Sequence, residues 1–307
     1  MNLFTKTCWP ILARRLAWLS ATLILGGCGS APNLPATTPV PVPVKVVKTK
    51  PVIGLVLGGG AAKGFAHIGV IKALEAQGIV PDLVIGSSAG AMVGALYAAG
   101  MSGFELQALA IPFNEFEVSD WVLPDRGLLK GEALAKFVNT AVGNRPLEKL
   151  PKKFGALTTD LASGEPVVFR TGDTGTAVRA SSSVPGIFQP VLIRGREYVD
   201  GGLSSPVPVR FARQMGATFV IAVDISDKPA NGKLSSTFDI LMQAVTIMGQ
   251  SITRYELPLA DVVIRPNISQ LNGVDFATRH NAVLEGEKAA ALQMPVLKAK
   301  LASFGAP

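Results

Sequence analysis

The sequence predicts an α/β fold, with a mainly parallel central sheet and helices on both of its faces. Two observations predict it. Short, almost wholly apolar runs of strand length are followed, after glycine-rich turns, by stretches whose apolar residues recur at helical spacing. The connections between them are short, so successive strands run parallel and the helices form right-handed crossovers. The first run is Val52-Ile53-Gly54-Leu55-Val56-Leu57, as expected of a strand buried on both faces. Gly58-Gly59-Gly60 breaks it, and a helical pattern begins at Ala61, with Phe65, Ile68, Ile71 and Leu74 three apart, closing at Gly78. Leu83-Val84-Ile85 is the second strand, and the chain turns through Gly86-Ser87-Ser88 into a helix over Ala89–Ala99 that ends at Gly100.

Further strands are predicted around Gly155–Thr159, Val167–Arg170, Tyr198–Val199, Thr218–Val223 and Asp261–Ile264. Further helices are predicted around Lys130–Thr140, Val207–Met215, Thr237–Tyr255 and Asn281–Leu301. Met101 to Pro124, with Phe104, Phe113, Phe116 and Trp121, reads equally as a cap over a site or as a packed insertion. No internal repeat is present.

The N-terminus has a different character. Met1 to Arg15 is basic, Leu16 to Leu25 is a ten-residue, mostly apolar run, and Gly26-Gly27-Cys28 follows. That is the layout of a secretory signal, and the run falls short of the roughly 18–20 apolar residues of a spanning helix. Leu25-Gly26-Gly27-Cys28 resembles a bacterial lipoprotein cleavage box, which implies that Cys28 becomes an acylated first residue. Gly29, where an aspartate would resemble an inner-membrane retention signal, implies the periplasmic face of the outer membrane in a cell that has one. Residues 29–50 are a Pro/Val/Lys-rich tether, with Pro-Val-Pro-Val-Pro-Val at 39–44, too poor in packing residues for a core and suited to extended polyproline structure. The expected organisation is therefore a signal over 1–28, a tether over 29–50 and one catalytic-sized domain over 51–307.

The net charge of +7 does not describe that domain. Lys6, Arg14, Arg15, Lys45, Lys48 and Lys50 lie in the first 50 residues, which hold no acid. Without these six, 23 of the 29 basic residues remain against 22 acidic ones. A nearly neutral body argues against a nucleic-acid-binding face. Both cysteines, Cys8 and Cys28, also lie outside it, and with only His67 and His280 in the chain no metal centre is expected. No cofactor is expected either.

Gly86-Ser87-Ser88-Ala89-Gly90 is a Gly-x-Ser-x-Gly motif between an apolar strand and an alanine-rich helix. In that setting it reads as the strained turn that lifts a nucleophilic Ser88 clear of a sheet. Gly58, Gly59 and Gly60, followed by Lys63-Gly64, would let backbone N–H groups approach the oxyanion of a tetrahedral intermediate. Neither nucleotide reading of that loop survives. Lys63 is followed by Gly64 and Phe65 rather than Ser or Thr, and no frame gives the dinucleotide spacing. The next strand also ends in the serine turn instead of a ribose-binding acid. For the base, His280 is a weaker candidate than Asp200, and His67 reads as packing or bracing the glycine loop. Asp200 closes the short strand Glu197-Tyr198-Val199 ahead of Gly201-Gly202. Burial beside an apolar pocket would raise its pKa and suit it to the task. An Asp-Gly-Gly surface turn is the competing reading, and the residues alone leave both open.

Taken together and in this order, these pieces resemble the patatin-like phospholipase family. The resemblance rests on Gly58-Gly59-Gly60 with Lys63-Gly64, on Gly86-Ser87-Ser88-Ala89-Gly90 and on Asp200-Gly201-Gly202. His67-Ile68-Gly69-Val70 and Ala180–Pro185 with Phe188-Gln189-Pro190 add to it, so that it covers roughly Pro51 to Asp224. It implies a three-layer α/β/α domain and a Ser88–Asp200 dyad without a catalytic histidine. It also implies an oxyanion site at Gly58–Gly60 and hydrolysis of phospholipid or lysophospholipid esters. Ala61 and Ala62 separate the third glycine from Lys63, one residue more than in plant patatins, so which amides face the oxyanion is left open. The competing expectation is a non-catalytic envelope lipoprotein that binds acyl chains or a protein partner.

Overall fold

Ile53–Leu57 forms the central strand β1, and all five of its residues are buried, because sheet neighbours flank it and helices cover both of its faces. The computed structural model of the chain describes residues 50–113, 118–123, 126–226, 228–229, 234–268 and 278–304. The expected signal, Cys28 and the tether lie outside these residues. β1 pairs in parallel with β2 (Leu83–Ser87) and with β7 (Phe219–Val223). β7 in turn pairs in parallel with β8 (Val262–Ile264), and β2 with β3 (Lys153–Asp160). The antiparallel part lies beyond β3, in β4 (Pro166–Phe169), β5 (Val191–Ile193) and β6 (Arg196–Asp200). The sheet is thus mainly parallel, as the sequence predicts, with a mixed flank.

The register along β3 matters most for function. β2 pairs with residues 153–157 of β3, β6 pairs with 158–160, and β4 pairs with 156–159. A strand has two edges, and β4 overlaps both of the other partners. β2 and β6 must therefore share the opposite edge, meeting end to end.

Alternation along the strands sorts the helices onto two faces. Leu55 and Leu57 join a core with α1 (Phe65–Glu75), α2 (Ala89–Ala98) and α8 (Arg279–Ala302). Val56 points the other way, with Leu83, Ile85 and Ala222, onto α6 (Val209–Gln214). α1 and α8 cross at backbone contact. A Cβ on Gly69 would fall inside the carbonyl oxygen of Val283, and one on Gly286 would fall inside that of Ala66.

The Met101–Pro124 stretch divides. Its first part is α3 (Gly103–Ala110), opened by a capping box in which Ser102 and Glu105 satisfy each other's backbone N–H groups. Phe113 is buried edge-on against Phe65 and Phe137, whereas Phe104 and Trp121 are exposed. Phe116 and Pro124 lie outside the described residues. Besides α3, two further elements were not expected from the sequence. α5 (Thr174–Ser181), which follows α4 (Glu132–Ala141), is short and built mostly of small and polar residues, and β5 is only three residues long. β5 joins β6 by a turn in which Arg194 and Gly195 both have positive φ, the signature of a two-residue type I′ hairpin.

Candidate active site

Ser88 stands between β2 and α2 with φ 53° and ψ −124°, a conformation that costs a non-glycine residue about 1–3 kcal/mol. The neighbouring glycines show what holds it there. A Cβ on Gly86 would overlap the backbone of Gly90, and a Cβ on Gly90 would overlap the carbonyl of Leu57 at the end of β1. Neither position has room for a side chain, so turn and helix start are pressed onto the sheet. The Ser88 N–H donates to Ser181 Oγ at 3.0 Å, and the Ser181 hydroxyl donates to the Leu157 carbonyl at 2.5 Å. Ser181, at the end of α5, thus ties the serine turn to β3.

The β3 register brings Asp200 to this turn. Ser87 lies opposite Leu157 and Asp200 opposite Thr158, on consecutive rungs along one edge of β3. Thr159 Oγ donates to the Asp200 carbonyl at 2.9 Å, and the Asp200 N–H donates to Ser183 O at 2.9 Å, fixing the end of β6. The carboxylate is only 5% exposed. Its Oδ1 accepts the Gly202 N–H at 2.6 Å, where Gly201–Leu203 forms a short 3₁₀ turn. Oδ2 has no partner of full hydrogen-bond geometry. The neighbouring Ser88 hydroxyl favours its ionised form. Burial pushes the Asp200 carboxyl up to about 6, against the hydrogen bonds from Ser88 and Gly202 that pull it down. The sequence-derived pair is therefore brought together, and Asp200 is not a surface turn.

The glycine loop is more differentiated than its sequence. The Gly58 N–H donates to Val223 O at 3.0 Å and the Gly59 N–H to Pro206 O at 2.9 Å, so both are engaged within the scaffold. The next amides, of Gly60 and Ala61, have no backbone acceptor among the described residues, and Ala61 takes a positive φ of 47°. Gly59 faces the Ser88 side chain, at 3.3 Å from an ideal Cβ to Ser88 Cβ. Lys63 is buried within the 3₁₀ turn Ala61–Gly64, and Gly64 packs on Ala89.

His67 donates from Nε2 to the Gly58 carbonyl at 2.8 Å, which leaves Nδ1 buried and without a partner. Full burial lowers it to about 4, more than the Gly58 hydrogen bond and Asp224 raise it, so the ring is neutral and braces the loop. His280, at the start of α8, is exposed. Nothing local in the sequence points to the roles of Ser181, Thr159 or Pro206, because each acts across non-local contacts.

The two buried titrating groups push acid stability in opposite directions. Between about 4 and 6.5 the unfolded His67 binds a proton that the folded one refuses, so its contribution is lost as pH falls. Between 3.8 and about 6 the folded Asp200 binds a proton that the unfolded one has released, so its contribution is lost as pH rises. Relative to wild type, His67→Gln, which can still donate to Gly58, is expected to gain stability as pH falls from 6.5 to 4. Asp200→Asn is expected to gain stability at pH 7, on the order of 3 kcal/mol, and to lose that advantage by pH 4. Urea unfolding at both pH values checks each sign.

The sheet thus lifts a serine from the carboxyl end of one of its parallel strands, beside a buried carboxylate. Residues 55–213, 159 of the 307, match the family profile described as patatin-like phospholipase, and the chain belongs to that family. It is 35% identical over 195 residues to an uncharacterised NTE-family protein of Mycobacterium tuberculosis, a match covering 62% of this chain and 54% of that one. Over 190 residues it is 34% identical to the mouse patatin-like phospholipase domain-containing protein 6, covering 59% of this chain and 14% of the mouse protein. The chain thus spans about half the length of the mycobacterial relatives it matches and much less of the mouse one. Among solved structures, VipD from Legionella pneumophila shares the fold, with a TM-score of 0.55 at 15% identity, over 81% of this chain and 67% of VipD. Among the described residues no cluster of three or more His, Cys, Asp or Glu is arranged to hold a metal ion.

Proposed function

We propose that the chain is a lipid acyl hydrolase acting on phospholipid or lysophospholipid esters through a Ser88–Asp200 dyad. The observation that carries this reading is the β3 register, which sets the buried Asp200 one rung beyond the serine turn. In the first half-reaction Ser88 Oγ bonds to the ester carbonyl carbon while its proton passes to Asp200. The C–O bond to the alcohol then breaks, Asp200 returns the proton to the leaving oxygen, and an acyl-enzyme remains. Water attacks the acyl group, Asp200 takes its proton and passes it to Ser88, and the free fatty acid leaves. The oxyanion faces the amides of Gly60 and Ala61, since those of Gly58 and Gly59 are spent on Val223 and Pro206. His67 holds the loop in place and carries no proton in the cycle.

The anchored form belongs to the same reading: Cys28 would carry the lipid that keeps the enzyme in the cell envelope. Its support is the leader and cleavage-box pattern, and incorporation of labelled fatty acid, lost in Cys28→Ser, tests it.

A fluorophosphonate tests the nucleophile directly. Labelling confined to Ser88 supports the dyad. A chain that binds acyl chains yet is never labelled would be the non-catalytic lipoprotein instead. The pH–rate profile tests the base. Asp200 must be ionised to accept the serine proton, so with its carboxyl at about 6, hydrolysis of a soluble ester at pH 5 should run about tenfold below that at pH 7.

A further inference from the structure

α7 (Thr237–Glu256) is placed the wrong way round for a helix that serves a core. Of its 20 residues only Thr253 and Glu256 are buried. Ile240, Leu241, Ile247 and Met248 recur at helical spacing on its outward face, each about half exposed, and Tyr255 near its end is 83% exposed. Between Asp239 and Arg254 the helix carries no charge.

The stripe lies beside the candidate active site. The Phe238 ring packs over Gly186 and Gly249 packs over Pro206, whose carbonyl holds the Gly59 N–H. Trp121 and Leu123, 68% and 89% exposed, sit on a strip whose Leu128 and Leu129 N–H groups both donate to Ile187 O. Two exposed apolar elements therefore flank the same 184–189 turn.

At its C-terminal end α7 forms one wall of a cavity of about 540 Å³. Lys228, Arg254 and Arg265 supply three cationic groups there, and Asp224, paired with Arg265 at 3.2 Å, supplies one carboxylate. Thr253, 5% exposed, also lines this cavity, and its Oγ1 has no partner.

We infer that α7, with the Trp121–Leu123 strip, is an interfacial docking surface that lays the side of the molecule carrying the Ser88 turn against an anionic lipid bilayer. The uncharged stripe enters the acyl boundary, and the basic cavity at its end takes lipid phosphate. Charge complementarity selects this occupant, and tyrosine with arginine at the end of an apolar stripe suits the head-group boundary. No described helix is long and apolar enough to cross a membrane, so α7 lies on the surface rather than spanning it. The purpose of this surface rests on reading Ser88 as a lipid-ester nucleophile, but its geometry does not.

The test uses the full chain with Cys8→Ser and Cys28→Ser, which removes its two cysteines, and one new cysteine bearing an environment-sensitive fluorophore. Met248→Cys places the fluorophore on the stripe. Val80→Cys, ahead of β2 at the opposite end of the parallel strands, is the control. Adding vesicles of phosphatidylcholine with phosphatidylglycerol should shift the label at 248 to the blue and leave that at 80 unchanged. Leu241→Glu with an unlabelled Met248→Glu should weaken vesicle co-flotation about 100-fold. Lys228→Gln and Arg254→Gln should each weaken it about fivefold and reduce the preference for phosphatidylglycerol. No response at 248 would overturn the inference. So would a blue shift that appears without vesicles and grows with protein concentration, since a second copy would then cover the stripe. Hydrolysis of a water-soluble ester, measured alongside, separates the two readings: if it persists while 248 stays silent, only the docking surface fails.

Discussion

Ser88→Ala is expected to lower hydrolysis of a water-soluble ester by about 10⁴- to 10⁶-fold while leaving the circular dichroism and the unfolding midpoint close to wild type. A soluble ester is the right substrate because its turnover does not wait on docking to a membrane. Asp200→Asn is expected to cost about 10³- to 10⁴-fold, because asparagine can accept the Gly202 N–H but cannot take a proton from serine. The double variant should be no worse than Ser88→Ala alone, since the two side chains perform one proton transfer and their effects do not add. Asp200→Asn should also be the more stable protein at pH 7, having shed a buried carboxylate, so loss of activity accompanied by a raised midpoint separates catalysis from misfolding. An Asp200→Asn variant that kept wild-type turnover would show that another group accepts the serine proton.

Gly69→Ala is expected to destabilise the fold by about 3 kcal/mol, against the sign that helix propensity alone would give. In an exposed helix interior, alanine for glycine stabilises by about 1 kcal/mol. Here the new methyl would lie inside the carbonyl oxygen of Val283 and against the Glu287 N–H, both backbone groups of α8 that no rotamer change can move aside. α8 must shift as a body, which loosens the contact of Gly286 with Ala66 and the Lys72–Glu287 ion pair in the same crossing. Once the helices have parted, a second methyl at Gly286 meets less resistance. The double variant Gly69→Ala/Gly286→Ala should therefore cost clearly less than the sum of the two singles. Urea unfolding of the three variants reads both the sign and the non-additivity, and a stabilised Gly69→Ala would refute the crossing.

Much of this was legible in one dimension because it is local. An unbroken apolar run with glycines after it specifies β1 and its turn. Gly-x-Ser-x-Gly between a strand and an alanine-rich helix specifies the Ser88 geometry down to which neighbours must lack a Cβ. A cap is local too: Ser102 and Glu105, three residues apart, form the capping box that opens α3. α5 offered less: an Asp173 cap and eight residues of low apolar content, because small residues carry its packing.

What the sequence determined by itself was the set of parts: the strand–helix alternation, Ser88 on its turn, Asp200 as a carboxylate ahead of two glycines, and a helix over most of residues 237–256. Their relations were decided only by the tertiary structure. Whether Asp200 lay buried beside the serine turn or in a surface turn depended on β6 sharing an edge of β3 with β2, a register set by pairing between residues far apart in the chain. Which amides of the glycine loop stay unspent depended on Val223 and Pro206, carbonyls more than a hundred residues away. The periodicity of α7 gave a helix but not the direction of its apolar face. That face turns outward because helical spacing fixes which residues lie together, while the rest of the fold fixes what they meet.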